Sequence, residues 1–136
     1  MLSCDSSSLK VLLVDDHELT LLTLKFTFSC QENMEVVGLA SNGQQAIEIV
    51  KSCQPDVVVL DLQMPVMDGW LASSYIKSIF PKTQILAFSS LEDLDLQQTK
   101  AMSTFDGVCR KNTPTSELVQ VVRRLGERVK CMSSGS

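Results

Sequence analysis

Five residues that could take part in chemistry lie at, or within two residues of, the ends of short apolar runs of this chain. They are Asp15, Asp16, Asp61, Ser89 and Lys111. The clearest run, residues 57–60, is wholly apolar and leads straight into Asp61. Pro65 and the Asp68-Gly69 pair cannot continue a buried strand, so Asp61 is predicted where a strand ends and a loop begins. Each of the five alone is more often a helix cap or a surface residue, but their joint placement at four strand ends indicates one site.

Three acids, a hydroxyl and a lysine in one place favour phosphoryl transfer. Clustered carboxylates repel one another, and Mg2+, which binds carboxylates, carbonyls and water, relieves that repulsion. With a cation and Lys111 neutralising the transferring oxygens, Asp61 could attack phosphorus and hold the group as an acyl phosphate. Ser89 could then donate a hydrogen bond to a phosphoryl oxygen.

Strand-like and helix-like patterns alternate five times along the chain. Strands are predicted at residues 10–14, 35–40, 57–61, 84–88 and 107–110, each followed by a helix. This alternation is typical of the α/β class, with a parallel sheet between two layers of helices. We expect a flavodoxin-like, doubly wound sheet of five strands in the order 2-1-3-4-5 with five helices; the Rossmann strand order is the alternative. The expected order places strands one, three, four and five side by side, so their carboxyl ends form one rim.

Apolar residues at helical spacing predict which face of each helix is buried. The first helix, residues 17–29, is expected to be capped by Asp16. Its buried residues are expected to be Leu19, Leu22 and Phe26, with Leu21 and Phe28 alongside. The second and third helices are expected to bury Ala46, Ile47 and Val50, and Ala72, Ile76 and Ile79.

The later helices differ in how well they are anchored. Residues 91–102 have helical length but a weak apolar pattern, which predicts a mobile helix. The last helix is expected to begin with Thr113 as its cap and Pro114 in its first position. It is expected to bury the stripe Leu118, Val121, Val122, Leu125 and Val129. Asn42-Gly43 is predicted to form a turn before the second helix.

Length and composition indicate one domain of ordinary balance. The 136 residues carry a net charge of -4, which argues against nucleic-acid binding by this domain. We expect a flexible tail at residues 1–9, a folded domain at 10–130 and a C-terminal tail at 131–136. Residues 110–136 hold six Lys or Arg and two acids, interpreted as a solvated helix face or, alternatively, a partner surface. Five cysteines without C-x-x-C spacing predict free thiols in a reducing cytoplasm, and no apolar stretch approaches the ~18 residues of a membrane span.

The motifs around the five residues resemble the receiver domain of two-component response regulators. Those motifs are VDDH at residues 14–17, VLDLQMPVMDG at 59–69, AFSS at 87–90 and GVCRK at 107–111. They occur in the order and spacing of that family over about residues 10–130. The resemblance implies that Asp61 accepts a phosphoryl group from a sensor histidine kinase or phosphotransfer protein.

The resemblance also implies a role for each neighbour of Asp61. Asp16, Asp61 and the Gln63 backbone carbonyl would bind Mg2+, with Asp15 helping through water. Ser89 and Lys111 would contact the phosphoryl group. The domain would switch conformation to control an output domain or effector, as a monomer or a phosphorylation-dependent dimer. It would be no enzyme beyond promoting its own phosphorylation and dephosphorylation. The Asp15-Asp16-His17 motif and the Asn42-Gly43 pair are similar to the corresponding motifs of receivers that precede helix-turn-helix DNA-binding domains.

Two positions depart from the family pattern, so two alternative functions stay open. Asn112 stands where the family usually has a proline, often in a cis bond; we expect a trans bond here. Val108 stands where the family usually has Tyr or Phe. A degenerate receiver that binds partners without phosphorylation is therefore one alternative. An aspartyl-phosphate hydrolase is another, although Gln63 replaces the second acid that such enzymes usually carry. His17, the only histidine, is interpreted as an exposed first-turn residue, with a role as phosphodonor or ligand as the alternative.

Overall fold

The fold alternates strands and helices from one end of the chain to the other. A computed structural model describes residues 8–62, 69–89 and 105–134, with side chains described for 8–62, 71–88 and 105–129. The strands are β1 (Leu9–Val14), β2 (Met34–Ala40), β3 (Val57–Asp61), β4 (Gln84–Ser89) and β5 (Gly107–Arg110). The helices in these ranges are α1 (Glu18–Ser29), α2 (Gly43–Cys53), α3 (Gly69–Ile79) and α4 (Thr115–Ser134).

All five strands pair in parallel in the order β2-β1-β3-β4-β5, which confirms the expected flavodoxin-like sheet. Alternate residues of the central strands enter two separate cores. Val11 and Val59 pack with residues of α1 and α4 in one core. Leu12 and Val58 pack with residues of α2 and α3 in the other. The sheet is therefore covered on both faces, which explains why β3 is apolar at every position before Asp61.

The first helix buries only part of the predicted set, since Leu21 and Phe28 are buried as predicted but Leu19, Leu22 and Phe26 are not. Leu21, Leu24 and Phe28 are buried, whereas Leu19 and Phe26 are 79% and 73% exposed. Leu22 is also exposed. The sequence explains why the prediction did not single out the buried face. Residues 19, 22 and 26 form one apolar set with helical spacing, and residues 21, 24 and 28 form a second. Spacing alone therefore cannot choose between two apolar stripes on the same helix.

Several predicted caps differ in the structure. His17, rather than Asp16, is the N-cap of α1, and no side-chain hydrogen bond caps that end. Asn42 is the N-cap of α2, with its side-chain oxygen accepting from Gln45 N–H at 2.9 Å, so the predicted turn is the helix start itself. The α4 helix begins at Thr115, not at Pro114, whose carbonyl accepts the first helical hydrogen bonds.

The ends of several elements also differ slightly from the prediction. β1 and β2 each begin one residue earlier than expected, and Ser89 is the last residue of β4. α2 ends as predicted before Pro55, with Gln54 in the left-handed region at φ 49°. On α3, Ala72 and Ile76 are buried as predicted, whereas Ile79 is partly exposed. On α4 the buried stripe is Leu118, Val119, Val122 and Leu125, with Val121 and Val129 only partly buried.

Some predictions fall outside the described residues. Four helices lie within them, and the predicted fifth, residues 91–102, lies outside. The domain boundaries stay a prediction, although β1 already begins at Leu9 and α4 reaches Ser134. Among the helices in the described ranges, none combines the length and apolar character needed to cross a membrane.

Candidate functional site

The carboxyl ends of β1 and β3 bring two acids together inside the protein. Asp15 follows β1 directly, and its N–H donates to the Ala40 carbonyl at 3.0 Å, which extends the pairing of β1 with β2. Asp61 is the last residue of β3, between β1 and β4. Both are almost fully buried, with Asp15 only 1% exposed. Buried carboxylates require compensating charge or hydrogen bonds, so this rim needs a cation.

Lys111 supplies one such cation from the loop after β5. Its Nζ lies 3.0 Å from Asp15 Oδ2 and 3.3 Å from Asp61 Oδ1. Burial by itself lowers the pKa of Lys111, but the hydrogen bond to Asp15 and the charges of Asp61 and Asp15 outweigh it, and the pKa is raised. The side chain therefore stays charged, and it bridges Asp15, which follows β1, and Asp61, which ends β3.

Asp16 and His17 complete the group at the start of α1. Asp16 is partly exposed, and its Oδ1 lies 3.1 Å from His17 Nδ1. The same nitrogen lies 3.1 Å from Asp15 Oδ1, which also accepts from His17 N–H at 2.9 Å. His17 is exposed as predicted, but its contacts with both acids were missed. The sequence did contain a signal for these contacts. His17 directly follows Asp15 and Asp16, so its imidazole starts within reach of both carboxylates.

The four side chains form a cluster suited to a hard cation. One ligand atom from each of Asp15, Asp16, His17 and Asp61 lies within 4.8 Å of the others. Three carboxylates provide the oxygen ligands that Mg2+ prefers, and Asp16 opens the cluster to solvent, from which the cation can bring water ligands. The donor set therefore fits a divalent cation.

Two predicted site residues cannot be placed. Gln63, whose carbonyl was assigned to the cation, lies outside the described residues. The backbone of Ser89 ends β4 on the same rim, next to β3 and β5, but its side chain is not described. The structure thus brings together Asp15, Asp16, Asp61 and Lys111.

The comparisons with known proteins agree with this geometry. The profile of the response regulator receiver domain matches residues 11–123. The chain belongs to the response regulator receiver domain family. Its place is therefore in two-component signalling, where receivers of this family act as phosphoacceptors.

Similar receivers occur in longer regulatory proteins. The oxygen regulatory protein NreC of Staphylococcus epidermidis is 34% identical over 116 residues, which cover 85% of this chain and 53% of that protein. The response regulator VraR of the same species is 34% identical over 121 residues, covering 88% and 57%. A protein-glutamate methylesterase/glutaminase of Photobacterium profundum is 36% identical, with 88% and 32% covered. The chain spans between about a third and three fifths of these relatives' lengths.

Isolated receivers of known structure share the fold over nearly their whole length. The response regulator domain of CheB from Thermotoga maritima superimposes with a TM-score of 0.79 at 27% identity, covering 88% of this chain and 97% of that one. The signal receiver domain of NarL from Mycobacterium tuberculosis superimposes with a TM-score of 0.81 at 28% identity, covering 89% and 98%.

The two departures from the family pattern have clear places in this receiver. Val108 is partly buried against the core beneath α2 and α3, so an aliphatic side chain fills that part of β5. The described residues contain no cis peptide bond, so the Lys111–Asn112 bond is trans, as predicted.

Proposed function

We propose that Asp61 is the phosphoacceptor of this receiver and that the donor is a sensor histidine kinase or a phosphotransfer protein. The observation that carries the proposal is the position of Asp61. Its buried carboxylate ends the central strand, with a lysine ammonium 3.3 Å away and two further acids in the same cluster. A carboxylate beside cationic groups on a sheet rim is well suited to in-line attack on phosphorus.

The transfer exchanges one bond to phosphorus for another. An Asp61 carboxylate oxygen forms the new P–O bond while the P–N bond to the donor histidine breaks, and the electron pair of that bond leaves with the imidazole. Lys111 is in reach of the incoming oxygens and offsets their negative charge. The burial of Asp61 and Asp15 excludes water and strengthens that attraction.

The proposal includes Mg2+ on the acidic cluster. Asp16, Asp61 and the Gln63 carbonyl would hold it, with Asp15 helping through water. When bound, this cation would supply further neutralisation of the phosphoryl oxygens. Lys111 already pairs with Asp15 at 3.0 Å, so Asp16 is the acid of the cluster left to face solvent and the arriving cation.

The consequence of phosphorylation is a change of conformation that controls an output domain or effector. Ser89 ends β4 opposite Arg110 on β5 and directly follows Phe88, the register partner of Asp61 on β3, so its hydroxyl is proposed to meet the phosphoryl group. The similarity to the transcriptional regulatory protein YhcZ of Bacillus subtilis, which is 33% identical over 112 residues, supports an output that regulates transcription. The coding sequence next to this receiver would test that part, since it would contain a kinase gene or an output domain.

We propose that this domain promotes only its own phosphorylation and dephosphorylation and catalyses no reaction on other substrates. The methylesterase relative is about three times as long as the match, so that similarity supports a shared receiver rather than a shared hydrolytic activity. Turnover of a small phosphomonoester by the purified domain would contradict this and favour the hydrolase alternative.

Intact-mass measurement after incubation with acetyl phosphate and Mg2+ tests the phosphoacceptor. The wild-type chain should gain one phosphoryl group and Asp61→Asn none. Glu48→Gln, at an exposed acid of α2, is the matched control and should be labelled like the wild type. A labelled Asp61→Asn variant would overturn the assignment. An unlabelled wild type would favour a degenerate receiver that binds partners without phosphorylation.

A further inference from the structure

We propose that Phe88 is a positioning residue for Lys111. Its ring holds the ammonium on the acids of the site by a cation–π contact, and it acts through Lys111 without touching the phosphoryl group. The inference rests on the proposed role of Asp61 and extends it to a residue of β4 that carries no polar group.

The pairing of the strands places Phe88 at the centre of the site. In the parallel register it lies opposite Asp61 on β3 and Cys109 on β5. Its side chain is on the face that packs against α1 and α4 and is only 5% exposed. The ring is therefore held by the core and offers a rigid surface to the rim above it.

Lys111 meets that surface with its charged end. Its Nζ lies 5.8 Å from the centre of the Phe88 ring, within the range of cation–π attraction. The same nitrogen lies 3.0 Å from Asp15 Oδ2 and 3.3 Å from Asp61 Oδ1. One ammonium thus has three anchors: two carboxylates and the negative face of a ring.

A third anchor matters because the lysine has room to move. A groove of about 260 Å³ runs beside it, and Lys111, Phe88, Leu19, Thr20, Thr113 and Leu118 are among its lining residues. Lysine has a flexible stem with many rotamers, so open space beside it allows positions away from Asp61. The ring favours the one position from which the ammonium reaches both acids.

Ordinary core packing makes a different prediction from positioning. If Phe88 only fills volume, its replacement changes stability and affects phosphorylation no more than other core changes do. If it positions Lys111, loss of the ring slows phosphorylation only while the lysine is present. The matched control is Leu86→Val, two residues earlier on the same strand and in the same core.

The experiment is a double-mutant cycle on the rate of labelling by acetyl phosphate at saturating Mg2+. Phe88→Leu should slow labelling about fivefold, the size of a modest cation–π contact. In a Lys111→Met background, the same change should have no further effect. Leu86→Val should lower the melting temperature without slowing labelling. An unchanged rate in Phe88→Leu, or an equal loss in the Lys111→Met background, would overturn the proposal.

A second series of variants keeps the aromatic ring at position 88 and changes only how charge is distributed over it. Progressively fluorinated phenylalanines at position 88 keep nearly the same shape while weakening the negative face of the ring. The labelling rate should fall stepwise with fluorination, and a rate independent of fluorination would contradict the role. Both experiments require a wild-type chain that is labelled on Asp61, so a failure of the phosphoacceptor assignment is recognised separately by an unlabelled wild type.

Discussion

At the scale of single residues, charge balance governs the site. Asp15 and Asp61 are buried where parallel strands end, and one lysine from the far end of the chain contacts both. Asp16, in contrast, is partly exposed and lies beside the imidazole of His17. This difference separates the acids that Lys111 already compensates from the acid that faces an incoming cation.

Asp16→Ala is therefore expected to weaken Mg2+ binding by roughly tenfold or more, since the loss of even an outer partner of a metal ligand costs about that much. Titration of Mg2+ followed by the fluorescence of the single tryptophan measures the affinity. Glu48→Gln removes an exposed acid from α2 and is expected to bind like the wild type. Equal affinities for Asp16→Ala and the wild type would remove Asp16 from the proposed cation site.

Cys109 provides a prediction about pH. Burial, together with the charge of Glu117, raises the pKa of its thiol above the ordinary value of 9.0, although Arg124 and a hydrogen bond with Thr113 oppose the rise. The unfolded chain therefore ionises first. The stability contribution is complete below the ordinary pKa and is lost as the pH rises through the folded-state pKa.

As the pH rises above the ordinary value of 9.0, the free energy of unfolding of the wild type is expected to fall more steeply than that of Cys109→Ala. Urea denaturation at several pH values measures both slopes. Cys30→Ala is the control, because Cys30 is an exposed thiol. Parallel pH profiles for the wild type and Cys109→Ala would show that the thiol does not contribute.

At the scale of elements, α1 shows how two apolar stripes on one helix compete. Leu21, Leu24 and Phe28 pack against the sheet, and Leu19, Leu22 and Phe26 face away from it. The chain enters α1 from β1 through Asp15, whose carboxylate accepts from the N–H of the N-cap His17. Packing against the sheet and α4, rather than spacing within the helix, therefore decides which stripe is buried.

The two stripes are expected to respond differently to truncation. Leu24→Ala should lower the free energy of unfolding by about 2–5 kcal/mol, because it empties a closed core. Leu19→Ala removes a side chain that is 79% exposed and should change stability by only about 0.5 kcal/mol. Chemical denaturation of both variants measures the difference. Similar losses would mean that α1 is rotated from the described position.

At the scale of the whole molecule, the first strand packs against the last helix. Gly126 of α4 faces Leu9 of β1, and a Cβ atom at position 126 would lie 2.7 Å from Leu9 Cδ1 and closer still to Cδ2. A glycine inside a helix normally costs stability, but here it allows α4 to approach the sheet. The same approach brings Leu118 and Leu125 into the core that contains Phe88.

Gly126→Ala is accordingly expected to destabilise the protein by about 1–3 kcal/mol despite the better helix propensity of alanine, since it overpacks the contact with Leu9. In a Leu9→Ala background the same substitution should become neutral or stabilising. Thermal denaturation of the four proteins completes the cycle. A stabilising Gly126→Ala in the otherwise wild-type chain would show that the contact relaxes without cost.

The sequence by itself determined the sheet and most of the site. Apolar runs that end in polar residues specify buried parallel strands, and the carboxyl ends of such strands share one rim for any chain of this topology. The meeting of Asp15, Asp61 and Lys111 could therefore be predicted without coordinates. The trans bond at Lys111–Asn112 followed equally from local energetics.

Only the tertiary structure decided the features that depend on orientation. The buried stripe of α1 and the ring of Phe88 beneath Lys111 both depend on how one element is rotated or placed against another. Periodicity is a property of one segment, and it is the same for either of two stripes on a helix. Which stripe is buried depends on packing between segments distant in sequence, because that packing fixes where each side chain points.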